Sequence, residues 1–180
     1  MKHIIRSQIK SKRELLSQEE ISQKSEIIRN KLFSLPEYKK AKMILYYVSF
    51  GSEVDTHDMI KESLETKTVV APKFEEDELK LSKIRSFNDL EKGSYDILEP
   101  KKLREINEKK IDLIIVPGVA FDKNRHRIGF GQGHYDRLLK NFLKVEKIAL
   151  AFNMQIVDKI PNEEWDVRVD KIITEDNIIE

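Results

Sequence analysis

Three short runs of unbroken apolar residues set the frame for this chain: Met43–Val48, Leu113–Pro117 and Ile148–Phe152. A strand with one wet face alternates apolar and polar residues. An unbroken run is a strand covered on both faces, as in a parallel sheet between layers of helices. Between the second and third runs lie a glycine cluster and a helical stretch, Tyr135–Leu143, at the spacing of a βαβ crossover. Thr68–Pro72 reads as a further short strand, and the alternating Leu79–Ile84 as a half-exposed strand in a hairpin. Residues 2 to about 34 carry apolar side chains near helical spacing and divide into two helices, the second opened by a capping box at Ser17–Glu20. Asp55 or Thr56 caps another helix that runs to about Glu65. The expected fold is a single α/β/α three-layer domain over residues 1–180, with a mainly parallel central sheet and the N-terminal helices of residues 1–35 packed on it.

Composition narrows what such a domain can do. Lys and Arg number 33 against 32 Asp and Glu, and a net charge of +1 gives no field to gather a phosphate backbone or anionic lipid. Nucleic acid and membrane are therefore not expected as partners. The N-terminus turns charged within six residues, before an export signal could form, so a cytoplasmic protein is expected, and a monomer is expected as well. Cysteine is absent, which removes disulfides, thiolate metal sites and thiol nucleophiles.

Glycine is the telling count. The chain has six, and three of them are Gly129, Gly131 and Gly133. Glycines at alternate positions let a backbone approach a ligand and turn its amides inward, and the helix that follows adds a positive end. Such a turn suits a polyphosphate, although a glycine-rich turn can also be purely structural. It matches neither the Walker A pattern nor the dinucleotide fingerprint. Asp136 follows in the first helical turn, where a carboxylate would repel phosphate unless a divalent cation lay between; the alternative is a partner for the helix dipole. Lys2 and Arg6, four apart, share one helix face.

The stretch Val116–Asp122 followed by Arg127-Ile128-Gly129, Gly131, Gly133 and Tyr135-Asp136-Arg137 resembles the 5-formyltetrahydrofolate cyclo-ligase family, also called methenyltetrahydrofolate synthetases. The likeness extends to Lys2 with Arg6, the Glu53 loop, Ala71-Pro72-Lys73, Glu99-Pro100 and Trp165-Asp166. It implies an architecture related to sugar-phosphate isomerases and CoA-transferases. It also implies an ATP- and Mg2+-dependent closure of 5-formyltetrahydrofolate, a reduced folate, to 5,10-methenyltetrahydrofolate with release of ADP and phosphate. The formyl oxygen is phosphorylated and N10 then attacks. By position, the resemblance makes ATP ligands of Lys2, Arg6, Arg127, Ile128, Gly129, Phe130, Gly131, Gln132, Gly133, His134 and Tyr135. It makes Val48, Glu53, Phe74, Tyr95 and His134 the folate pocket, and Asp136 and Asp166 the magnesium carboxylates. Beyond these binding groups no catalytic residue is assigned.

The chain departs from the family pattern in three places. His134 replaces the first of two tyrosines, Phe130 and Gln132 stand at positions often basic, and Asp96 stands where glycine is common. Trp165 is expected to pack, and His3, His57 and His126 to lie at the surface. Two other classes compete with the enzyme reading: a nucleotide- or anion-binding regulatory module, and a sugar-phosphate isomerase or acyl-CoA transferase. The acidic set Glu53, Asp136 and Asp166 speaks against the first, and the lack of a separate enolising base against the second.

Overall fold

The computed structural model describes residues 1–93, 96–163 and 165–180. Its main sheet has seven strands: β1 (Met43–Leu45), β2 (Thr68–Glu75), β3 (Glu78–Ile84), β6 (Leu113–Val116), β9 (Glu146–Leu150), β11 (Lys171–Ile173) and β12 (Ile178–Ile179). They lie in the order β12-β11-β9-β6-β1-β2-β3. The five inner strands are mutually parallel and the two edge strands antiparallel.

The apolar runs are buried on both faces because their side chains alternate between two cores. Ile44, Val69, Ile115 and Ile148 join the side covered by Ile28 and Leu32 of α2 (Gln18–Ser34) and by Met59 and Ile60 of α4 (His57–Thr66). Leu45, Val70, Ile114 and Ala149 join the side covered by Leu138 and Leu139 of α5 (His134–Leu139). The capping box at α2 is present in full, with Glu20 N–H donating to Ser17 Oγ and Ser17 N–H to the Glu20 carboxylate. At α4, Asp55 accepts from His57 N–H at 2.9 Å, whereas the Thr56 hydroxyl donates to Tyr47 O and makes no cap.

Several elements depart from the sequence reading. Strand β1 ends at Leu45, although the apolar run continues buried to Val48. The helix expected over 135–143 is α5 plus one 3-10 turn, Lys140–Phe142. A ribbon of β4 (Leu90–Lys92) and β5 (Leu98–Pro100) lies beside the end of β2. A small sheet of β10 (Ile156–Val157), β7 (Ala120–Asp122) and β8 (Arg127–Ile128) carries α1 (Lys2–Glu14), whose Ile9 packs with Val119, Ala120, Ile128 and Ile160. Helix α1 therefore rests on the small sheet rather than on the main one. The remaining helix, α3 (Pro36–Lys40), starts on a proline, whose missing N–H costs nothing there.

Candidate functional site

Adjacent parallel strands β6, β1 and β2 deliver their carboxyl ends to one edge of the sheet, where the loops leading onward leave a cleft of about 700 Å³. Helix α1 enters from the small sheet and brings Lys2 and Arg6 to the same cleft. The cleft is lined by Val48, Glu53, Phe74, every residue from Arg127 to Asp136, and Asp166. These are the residues singled out from the sequence, with one exception: Tyr95 lies outside the described residues.

The glycine turn is held by arginines. Arg6 Nε donates to Gly129 O at 2.8 Å. Gly131 and Gly133 adopt φ of 114° and 69°, the left-handed region where a side chain is strained, and a Cβ at Gly133 would also come 3.3 Å from the Arg137 guanidinium. Arg137 donates to Gln132 O at 3.0 Å and to His134 Nδ1 at 2.6 Å. Arginine only donates, so His134 Nδ1 accepts and its proton sits on Nε2, 2.7 Å from Gln132 Oε1. Burial, with the Arg137 charge adding to it, lowers the His134 pKa. Its ring meets Phe74 edge-on at 4.9 Å. Because α5 has only six helical residues, its dipole is weak beside the full charges of the arginines around the turn.

Both candidate metal carboxylates are paired with cations. Asp136 Oδ1 accepts from Arg127 Nη2 at 2.7 Å, and Asp166 Oδ2 from Lys2 Nζ at 2.6 Å. Burial works against the Lys2 ammonium, but the Asp166 and Glu163 carboxylates outweigh it and raise its pKa. Arg127 is buried, gives Nη1 to Pro117 O at 3.3 Å and leaves its Nε unpartnered. Among the described residues no three His, Asp or Glu side chains form a ready-made metal cage. Magnesium commonly takes one or two protein carboxylates, with phosphate oxygens and waters completing its octahedron, and the pair Asp136 and Asp166 fits that manner of binding.

Glu53 is 5% exposed, with one carboxylate oxygen accepting from Phe50 N–H at 3.1 Å. Burial pushes its pKa up to about 7, against the smaller pull of that N–H and of Arg13. Burial and the nearby Glu53 charge together raise the Tyr135 hydroxyl well above its ordinary value. The loop is fixed from behind: Tyr47 donates to Val54 O, and Ser49 and Thr56 exchange hydrogen bonds.

Some placements differ from expectation. Trp165 does not pack; it is 58% exposed and lines the cleft. Of the three histidines expected at the surface only His3 is exposed, since His57 bonds Ser49 O and His126 bonds the fully buried Asp122. Tyr47, Phe50, Glu99 and Lys140 also line the cleft, unforeseen in the sequence. Phe50 follows the first apolar run after a single serine, which is the one hint it offered.

The sequence profile of the 5-formyltetrahydrofolate cyclo-ligase family matches residues 1–175. The chain belongs to this family. A mouse 5-formyltetrahydrofolate cyclo-ligase is 31% identical over 96% of this chain and 93% of its own. The NMR structure of an Aquifex aeolicus 5,10-methenyltetrahydrofolate synthetase is 39% identical, covers 98% of this chain and 91% of its own, and superposes with a TM-score of 0.89. A Mycoplasma pneumoniae 5,10-methenyltetrahydrofolate synthetase, 30% identical over 97% and 98%, gives 0.78. As a cyclo-ligase family member the chain is an enzyme, with the mixed α/β fold of those synthetases.

Proposed function

We propose that the 180 residues act as one cytoplasmic cyclo-ligase domain that converts 5-formyltetrahydrofolate to 5,10-methenyltetrahydrofolate at the expense of ATP. The supporting observation is the cleft, which gathers cations, a glycine turn, two carboxylates, a buried acid and aromatic walls.

In this reading Lys2, Arg6, Arg127 and the turn from Ile128 to Tyr135 hold the triphosphate, with Asp136 and Asp166 as the carboxylates that would carry Mg2+. When bound, the ion neutralises phosphate charge and lets two acids share a site with an anion. Arg127 and Lys2, now paired with those acids, are close enough to turn to phosphate oxygens when the metal takes the carboxylates. Glu53 accepts from the N–H donors of the pterin edge, while Val48, Phe74 and the His134 ring supply flat apolar walls.

The chemistry then needs little from the protein beyond positioning. The formyl oxygen attacks the γ-phosphorus and expels ADP. The resulting phosphate ester makes oxygen a good leaving group, N10 attacks the activated carbon, and inorganic phosphate departs. His134, placed between Phe74 and Gln132, holds the turn against the pterin wall. The test is direct: incubated with Mg2+, ATP and 5-formyltetrahydrofolate, the protein generates the near-ultraviolet chromophore of the methenyl product. No chromophore from the folded protein overturns the reading.

A further inference from the structure

The ribbon β4–β5 reaches the cleft through Leu98 and Glu99 of β5. Glu99 Oε1 accepts from Lys73 Nζ at 2.9 Å, and Oε2 from Phe74 N–H at 3.3 Å. Lys73 spends a second proton on Pro100 O at 3.0 Å. The two side chains are only 12% and 18% exposed, so the pair is largely shielded from water. Strand β1 pairs with β2 only as far as Val70, and beyond it the edge of β2 carries open backbone groups; Glu99 satisfies one of them. Beneath the carboxylate lies Gly93, whose φ needs no glycine but where a Cβ would fall 2.0 Å from the Glu99 carboxyl carbon. Glycine there leaves room for that side chain.

We propose that Glu99 is a positioning residue for the folate: with Lys73 it clamps β5 to the end of β2 and so fixes the Phe74 ring and the Leu98 side chain that wall the pocket. This role rests on the proposed substrate. Glu99 acts through its neighbours and not on the reacting atoms: its hydrogen bonds go to Lys73 and Phe74 of β2, whereas Lys2, Arg6 and Arg127 bond Asp166, the glycine turn and Asp136.

The experiment measures equilibrium binding of 5-formyltetrahydrofolate and of ATP, by calorimetry, to the wild-type chain, Glu99→Ala, Gly93→Ala and the double variant. Losing a hydrogen-bonded charge that orders the wall weakens folate about 10-fold in Glu99→Ala. Gly93→Ala does the same with both charges intact, because the new methyl displaces the flexible end of Glu99. In the double variant the methyl has nothing to displace, so it binds folate no worse than Glu99→Ala alone. ATP affinity stays within about twofold throughout. Equal losses for ATP and folate would reduce Glu99 to a general structural residue and overturn the proposal. So would single effects that multiply in the double variant, or folate affinity unchanged in Glu99→Ala. A wild-type chain that binds no 5-formyltetrahydrofolate removes the substrate assignment itself, and is told apart from those outcomes by the wild-type measurement alone.

Discussion

Glu53 gives up stability for recognition. Its carboxyl titrates near 7 in the folded protein against an ordinary 4.5, because burial opposes its charge. The folded state thus favours the protonated acid. That contribution is fully present below about pH 4.5, declines as pH rises through 7 and is lost above it. Glu53→Gln, neutral at every pH, is therefore expected to be more stable than wild type at pH 8 by about 2–3 kcal/mol, with the gap closing below pH 5. Urea midpoints at the two pH values check this, and equal midpoints at pH 8 contradict it. The same substitution removes the charged acceptor for the pterin donors, so the KM for 5-formyltetrahydrofolate rises by roughly 10-fold to several hundred-fold while that for ATP barely moves. In the wild type, folate KM falls as pH rises to about 7 and then levels off, since the ionised form is the better acceptor. Asp96 shows how a residue-level departure is absorbed: at φ 59° it occupies the conformation that glycine takes freely and aspartate tolerates.

Among the elements, α1 matters most to the site. It contributes little to the main core, yet its N-terminal turns place Lys2 on Asp166 and Arg6 on the glycine turn. Lys2→Ala and Arg6→Ala should each raise the KM for ATP about 10- to 100-fold, from a loss of about 1.5–3 kcal/mol per charged contact, and leave folate nearly untouched. Equal losses for the two substrates would contradict the phosphate assignment. At α2 the capping box is remote from chemistry, so Ser17→Ala should lower stability by about 1 kcal/mol with unchanged kinetics. Elements were legible where a physical pattern is long enough to show. The buried runs of β1, β6 and β9, the alternating β3 and the Ser17 box all carry their pattern within a few residues. Strands of two or three residues such as β8, β10 and β12 are too short to display a period, and arise from tertiary pairing. The glycine turn stood out because glycine is scarce elsewhere in the chain. Glu99, Lys73 and Phe74 are named through the family likeness, but their pairing was not legible, because Lys73 and Phe74 lie 26 and 25 residues from Glu99.

At the scale of the whole molecule the cleft joins segments distant in sequence, with Lys2 bonded to Asp166 across 164 residues. In the proposed function the phosphate cations come from α1 and β8, the carboxylates from α5 and the segment before β11, and the folate walls from the loop after β1, from β2 itself and from the start of α5. In the proposed function such an arrangement couples the two half-reactions only if ATP and folate occupy it together, and Asp136 and Asp166 would hold the Mg2+ that offsets phosphate charge. Asp136→Asn keeps the shape and the first-turn position but not the charge, so turnover should fall by orders of magnitude at saturating Mg2+ while the thermal midpoint stays within a few degrees. Near wild-type turnover would instead make Asp136 a dipole partner. The most direct measurement follows inorganic phosphate and methenyl product in the same reaction, with Mg2+ present and after its removal by a chelator. Phosphate and methenyl product are expected to appear in equal amounts, to require 5-formyltetrahydrofolate, and to stop together when the metal is removed. Phosphate released without the folate, or ring closure that proceeds without ATP or metal, would contradict a single cleft that drives cyclisation by phosphorylating the formyl oxygen.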